Sequence, residues 1–317
     1  MAHRNKKCIF ATKYTTMTAN NKQMYRFHFL AILTVIIWGT TFVSTKILIG
    51  NGLTPVEILL YRFALAYAGI WFFCPRKLLA KSWRDELLFL GLGLCGGSLY
   101  FIAENTALGI TLASNVSLII CTTPILTALL SRLFNKGERL KRHLIYGSLM
   151  ALLGVALVVF NGSFILQINP LGDMLTLLAA LMWAFYGLIL KRLGNRYPTL
   201  FVTRKVFFYG IITLIPVLII SPVHPQIEVL TAPAVIGNLL FLGVIASLLC
   251  YIMWNTAVKE LGVVRTTNYI YVVPLVTLLT SAIVINETIT VIALIGSAFI
   301  LSGVYVAEKG FTLRRNS

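Results

Sequence analysis

Ten apolar stretches separated by short polar segments dominate the chain. They run from Phe29 to Ile49, Thr54 to Phe73, Leu87 to Ala107, Leu112 to Phe134, His143 to Phe160, Gly172 to Leu190, Thr199 to Ile220, Ala234 to Ala257, Gly262 to Ile285 and Thr290 to Ala307. Each comes near the ~20 residues with which an α-helix crosses a hydrocarbon layer of ~30 Å. The pattern predicts an all-α polytopic membrane protein with ten transmembrane helices. Composition agrees, because 58% of residues are hydrophobic and only 12% charged, with a mean hydropathy of +0.86. Soluble domains carry about 25% charged residues, so two ordinary water-soluble domains are excluded.

The pattern also repeats. Glu104-Asn105-Thr106-Ala107-Leu108 is matched by Trp254-Asn255-Thr256-Ala257-Val258, and Pro124 and Pro274 follow at the same spacing. Glu138, Gly147 and Gly154 correspond to Glu287, Gly296 and Gly303; Trp38 and Lys46 correspond to Trp183 and Lys191; Pro55 and Arg62 correspond to Pro198 and Arg204. This is an internal duplication. It divides the chain into a basic segment (1–28), a first five-helix repeat (29–160), a second (171–307) and a short tail (308–317). An odd number of helices per copy forces the second to enter the membrane from the opposite face, so the repeats are inverted.

Loop charge supports that inversion independently. Of the 27 Lys and Arg, all but Lys46, Arg62, Arg204 and Lys205 lie in or at the edges of alternate connections and at the two ends. Arg132, Lys136, Arg139, Lys141 and Arg142 surround Glu138, whereas no Lys or Arg occurs from Thr277 to Ala307 around Glu287. Basic connections mark the cytoplasmic side, which predicts a multi-pass protein of the cell (cytoplasmic) membrane with both termini cytoplasmic. The net charge of +17 is then a topogenic signal that also favours anionic lipid headgroups. No loop is long enough to carry a folded nucleic-acid-binding surface, so the expected partners are the lipid bilayer and a small-molecule substrate. The polar segment 1–28 precedes a full-length helix without a cleavage-site pattern and reads as the lead into an uncleaved anchor. The five cysteines (Cys8, Cys74, Cys95, Cys121, Cys250) form neither a CxxC pair nor a pattern with His. No metal and no cofactor is expected.

Two five-helix units in tandem, the Trp38-Gly39 start, the stretch from Pro55 to Arg62-Phe63, and a proline followed by a loop glutamate in each half resemble the drug/metabolite transporter superfamily, EamA branch. The resemblance covers Phe29 to about Lys309. It implies a ten-helix bundle, movement of substrate by alternating access, and a central cavity lined by both repeats. It also implies a substrate among amino acids, other small metabolites and toxic compounds. The chain departs from its own symmetry at Trp183-Ala184, where the first copy has Trp38-Gly39, and at Trp254, which stands in place of Glu104.

Several residues are candidates for the transport path. Pro124 and Pro274 lie mid-helix and free the carbonyls of Ile120 and Ile270, bending their helices; the kinks serve as gates or as static packing features. Glu104 is the one carboxylate well inside a helix, on a stripe with Gly97, Tyr100, Phe101 and Leu108. Its expected roles are to bind a substrate amine, to carry a proton or to reach water at the helix end. Asn105 and Asn255 end the third and eighth helices, and Asn115 and Asn268 begin the fourth and ninth; they bind substrate or tie helices together. Arg62, deep in the second helix, reads as a structural charge that ties helices, in preference to an anion-binding group. Trp38, Trp183, Tyr251, Trp254 and Tyr271 supply aromatic surface, to line a cavity or to pack. Gly91, Gly93, Gly96 and Gly97 in the third helix, and Gly147/Gly154 and Gly296/Gly303 in the fifth and tenth, are close-packing signals.

The favoured function is a secondary transporter, in the exporting direction, of an amino acid, a related metabolite or a toxic compound. The alternatives are a non-transporting membrane subunit or scaffold and a membrane enzyme. The enzyme reading lacks clustered acids, histidines or a nucleophile at membrane depth, since His3, His28, His143 and His224 fall at helix ends or in loops. Without a Walker A pattern ATP is not the direct drive, which leaves proton coupling, exchange and facilitation as open choices.

Overall fold

The computed structural model describes residues 2–75, 79–111, 113–134, 141–160, 169–223, 226–284 and 290–309. Glu138 and Glu287 lie outside them, as does the side chain of Asn115. The described residues contain ten apolar helices and no strand: α1 (Ala2–Gly50), α2 (Pro55–Phe73), α3 (Trp83–Ile110), α4 (113–134), α5 (Arg142–Phe160), α6 (Pro170–Leu193), α7 (Thr199–Ile220), α8 (Pro233–Leu261), α9 (263–284) and α10 (Val291–Lys309). Eight hold a segment long and apolar enough to cross a membrane, and the two shorter ones belong to α5 and α10, the fifth helix of each repeat. α1 runs back to Ala2, well ahead of the expected start at Phe29. No Gly or Pro interrupts residues 2–28, so nothing in the backbone stops the helix there, and its apolar segment begins at Met24.

Solvent preference along these helices is inverted relative to a soluble protein. Phe72, Ile219 and Ile283 are 78%, 74% and 80% exposed, while Arg62, Glu104 and Lys205 are 2%, 7% and 0% exposed. Lipid accepts the first set and polar partners inside the bundle satisfy the second. Where the chain turns, local chemistry sets the helix starts. Thr54 and Glu57 form a reciprocal capping box in front of α2, with Pro55 in its first turn, which supplies partners for otherwise orphaned N–H groups. Asn169 caps α6 in the same way by accepting from the Gly172 N–H at 3.0 Å.

The inversion is visible in how α5 and α10 meet. A Cβ placed on Gly147 would lie 2.4 Å from the Ala307 nitrogen, and one on Gly154 would lie 2.6 Å from the Gly296 carbonyl oxygen. The reciprocal pairs are as tight, with Gly303 2.5 Å from the Ala151 nitrogen and Gly296 2.7 Å from the Gly154 oxygen. Low numbers on one helix meet high numbers on the other, so the two equivalent helices run antiparallel, backbone against backbone. Only residues without a side chain permit that approach.

Two irregular segments sit at equivalent places in the copies. α3 widens into π-helical turns at Leu94–Ser98, where Gly97 has φ −134° and ψ −105°, and α8 does so at Phe241–Leu249. The proline helices are interrupted too. α4 breaks into Ala113–Ile120 and Thr123–Phe134 around Pro124, and α9 tightens to a 3₁₀ turn at Asn268–Val272 ahead of Pro274. Asn105 and Asn255 do not end their helices as expected from hydropathy. α3 continues to Ile110 and α8 to Leu261, because Gly109 and the polar pair Lys259-Glu260 weaken hydropathy without breaking the helical backbone.

Candidate functional site

Repeat-related residues touch one another along one line through the bundle. The indoles of Trp38 and Trp183 meet edge to face at 5.2 Å between centroids. The Cys121 thiol donates to the Ile270 carbonyl at 3.7 Å, so the break in helix four touches the break in helix nine, Ile270 being the counterpart of Ile120 next to Cys121. With the α5–α10 contact, the Trp38–Trp183 pair marks a pseudo-twofold axis. The Ile270 carbonyl is the one Pro274 frees, and the thiol from the α4 break partly satisfies it. The two proline breaks therefore lie against each other and line one cavity between them.

The π segments free carbonyls as well, and in lipid such groups must be satisfied internally. Trp38 Nε1–H donates to the Ala246 carbonyl at 3.0 Å, and the Tyr251 hydroxyl donates to the Gly96 carbonyl. Gly96 and Ala246 are repeat mates, so one aromatic donor serves each copy. Trp38 thus both carries a backbone group and, with Trp183, faces a central cavity.

That cavity, of about 40 Å³, is lined by Trp38, Thr41, Phe42, Arg62, Tyr100, Phe101, Glu104, Ile120, Thr123, Trp183, Ile270 and Val273. Six residues separate Glu104 from the helix end at Ile110, and its carboxylate turns inward. Its Oε1 accepts the Tyr100 hydroxyl at 2.6 Å, and the Tyr100 ring stands 5.0 Å from that of Trp183. Arg62 uses Nε–H on the Ser247 hydroxyl at 3.0 Å and lays its guanidinium 4.1 Å from the Phe101 ring centroid, a cation–π geometry. The side chain thus ties α2 to α8 and also lines the cavity.

A second, larger space lies on the side where the basic connections gather. This vestibule, of about 510 Å³, is lined by Arg132, Lys141, His143, Lys191, Lys259 and Arg265, and reaches inward to Asn255 and Asn268. Asn268 starts the 3₁₀ turn of α9, whereas Ile270 and Val273, further along it, line the cavity. The turn ahead of Pro274 therefore forms part of the wall between the two spaces. On the opposite side helix ends are knitted together. Asn169 Nδ2 donates to the Ile110 carbonyl at 2.7 Å, and Asn105 Nδ2 to the Pro55 carbonyl at 3.2 Å.

Of the expected path residues, Trp38, Tyr100, Glu104 and Trp183 converge on the cavity, and Asn255 and Asn268 reach the vestibule. Trp254 backs the cavity wall, 5.0 Å from Trp38 and 6.1 Å from Trp183, and Tyr251 lies behind it on Gly96. Asn255 is held by the Tyr186 hydroxyl at 2.6 Å and donates to Thr203 at 3.0 Å. Tyr271 is fully buried among Cys121, Ala151, Val155 and Ile300, away from both spaces. The cavity residues not anticipated are Thr41, Phe42, Ile120, Thr123, Ile270 and Val273. Thr123 and Ile120 flank the proline break, which was their one sequence signal; Phe101 was already on the Glu104 stripe.

The basic side is also braced. Lys205 Nζ, fully buried, meets both oxygens of Glu86 at 2.7 and 2.8 Å, and the Tyr209 hydroxyl joins them at 2.7 Å. Arg196 and the Tyr197 hydroxyl share Asp85. Burial and the bond to Asp85 raise Tyr197 above the usual phenol range, so it stays a neutral donor. Among the described residues no group of His, Cys, Asp and Glu is arranged to hold a metal ion.

Comparisons with known proteins agree with this architecture. A family model described as the EamA-like transporter family matches residues 26–160 and 170–308, one match per repeat. A protein of Archaeoglobus fulgidus named "Uncharacterized transporter" is 30% identical over 88% of this chain and 96% of its own length. One of Salmonella typhimurium named "Probable amino-acid metabolite efflux pump" is 29% identical over 91% and 97%. A solved crystal structure aligns with a TM-score of 0.70 at 20% identity over 88% of this chain and 96% of its own, a likeness of fold. Two inverted five-helix repeats around a shared cavity, each matched in full by the same model, make this chain a member of the EamA-like transporter family.

Proposed function

We propose that this transporter exports a small organic metabolite, of the amino-acid class or close to it, across the cytoplasmic membrane by alternating access. The observation that carries the reading is the sequence of spaces from the basic side inward. A wide vestibule ends at a wall built partly from the 3₁₀ turn of α9, and a narrow charged cavity lies behind it. With the basic connections in the cytoplasm, this is a state open to the inside and knitted shut on the outside at Asn169–Ile110 and Asn105–Pro55. Loading from the cytoplasm fits an exporter, and the printed name of the Salmonella relative points the same way.

In this reading the breaks at Pro124 and Pro274 are the movable parts of the wall. Helices interrupted at membrane depth are tolerated where they line a water-filled space, and 3₁₀ stretches within helices often mark hinges. Glu104 is the principal binding group. Whether the drive is a proton, exchange or the metabolite gradient is decided by flux measured under imposed pH differences.

The test is metabolite profiling of cells with and without the protein, followed by flux in proteoliposomes. The expected result is one or more amino-acid-class compounds raised outside and lowered inside, with flux of the free compound lowered about tenfold or more in Glu104→Gln while insertion is kept. Flux equal to that of empty vesicles across a broad metabolite panel refutes the reading.

A further inference from the structure

Two opposite charges face the central cavity without forming a contact ion pair. Among the described residues ion pairs join Arg196 to Asp85 and Lys205 to Glu86, but none joins Arg62 to Glu104. Arg62 is held in place by Ser247 and by the Phe101 face, and among the described residues no other of its N–H groups has a hydrogen-bond partner. Among the described residues Glu104 accepts only the Tyr100 hydroxyl. A third polar group is orphaned beside them: Thr123, 0% exposed at the α4 break, has a hydroxyl with no hydrogen-bond partner and lines the same cavity. Leaving buried polar and charged groups unpaired costs stability, so the arrangement is one that a ligand completes.

The charge inventory selects the ligand. A simple cation would satisfy Glu104 and leave Arg62 unpaired, and a simple anion would do the reverse. Only a molecule that carries both charges neutralises both side chains. Most of the remaining lining, Trp38, Phe42, Trp183 and Val273 among it, offers aromatic and aliphatic surface, and none of it carries a further charge. At about 40 Å³ the cavity holds little more than a water molecule, so binding requires its walls to part. Two of those walls, at Ile120–Thr123 and Ile270–Val273, belong to the interrupted helices.

Resting on the exporter reading above, we propose that the cavity recognises a zwitterionic α-amino acid with an apolar side chain. The carboxylate is taken by Arg62 and Thr123, the ammonium by Glu104, and the side chain by the Trp38–Trp183 wall.

The test uses the full chain in proteoliposomes and the common α-amino acids as probes, each supplied free, as its methyl ester and as its N-acetyl derivative. At least one apolar amino acid is expected to move about tenfold or more faster than both of its derivatives, a difference of ~1.4 kcal/mol. Each charged partner should then govern one end. Glu104→Gln is expected to bring the N-acetyl derivative to within about threefold of the free amino acid and to keep discrimination against the ester. Arg62→Gln is expected to do the reverse, and Thr123→Val, which leaves the charges in place, to weaken only discrimination against the ester. A structural role alone would lower all three fluxes together. Esters or N-acetyl compounds moving as fast as their parents, or transport confined to simple cations or simple carboxylates, overturns the assignment. If cells export a metabolite but no free amino acid moves in vesicles, the assignment falls and the exporter stands; if neither occurs, both fall.

Discussion

The surroundings of Asn105 and Asn255 are the same place in two copies of one unit, and they are built differently. At Asn105 the helix ends are closed, with its amide on the Pro55 carbonyl and Asn169 on Ile110. At Asn255 a vestibule of about 510 Å³ reaches the side chain. Where the residues agree, as here, the difference is one of conformation: a symmetric scaffold holds its halves in opposite states. Where they disagree, as at Glu104 and Trp254, the difference is chemical. Glu104 faces the cavity with Arg62, while Trp254 closes an aromatic wall behind it. Inverted repeats thus give the bundle two differently packed ends, and in the proposal above one asymmetric acid supplies the binding chemistry.

The strongest way to break this picture is to remove what holds the halves together. Gly154→Leu puts a side chain where a Cβ already lies 2.6 Å from a backbone oxygen. Overpacking costs about 1–3 kcal/mol even where side chains can yield, so loss of folded protein in detergent gel filtration is expected. Gly109→Leu, with open space around it, should leave the elution profile unchanged.

Next in size is the chemical difference. Glu104→Gln should lower flux about tenfold or more, equivalent to ~1.4 kcal/mol, whereas Trp254→Phe should stay within about threefold of the parent. Equal losses in both would mean that the acid is not what separates the copies. Smaller still are the carbonyl caps. Trp38→Phe and Tyr251→Phe each orphan one buried carbonyl, at a cost of about 1–3 kcal/mol, and should lower the thermal midpoint by similar amounts. Markedly unequal shifts would show that the two caps are not counterparts. The smallest change is Cys121→Ala, which removes a weak thiol contact and should cost no more than about 1 kcal/mol beyond its packing loss.

Much of this architecture is legible in the residue pattern, and for physical reasons. Lipid demands long apolar helices, so ten segments stand out. Duplication leaves matching letters, and the odd helix count forces inversion. Glu104 stands out because an acid at membrane depth is expensive. What stays hidden depends on tertiary partners. Gly96-Gly97 hints at the irregularity of α3, but the nine-residue π segment Phe241–Leu249 looks like an ordinary apolar helix. The indole of Trp38 gives no sign that a carbonyl needs it, and Tyr271 reads as path surface while its neighbours enclose it. Hydropathy also ends α3 too early, since it reports lipid exposure and the helical backbone ends only at Ile110.

The contacts along the pseudo-twofold axis have a kinematic meaning. If the two copies trade conformations, a contact between a residue and its own counterpart maps onto itself, whereas one between unrelated residues must be remade elsewhere. Trp38 against Trp183 is of the first kind, and the glycine seam of α5 and α10 maps onto itself as a whole, Gly147 against Gly303 exchanging with Gly296 against Gly154. Asn169 on Ile110 and Tyr251 on Gly96 belong to the second. The backbone seam between α5 and α10 can therefore stay sealed through a full cycle and act as the fixed pivot about which both gates turn.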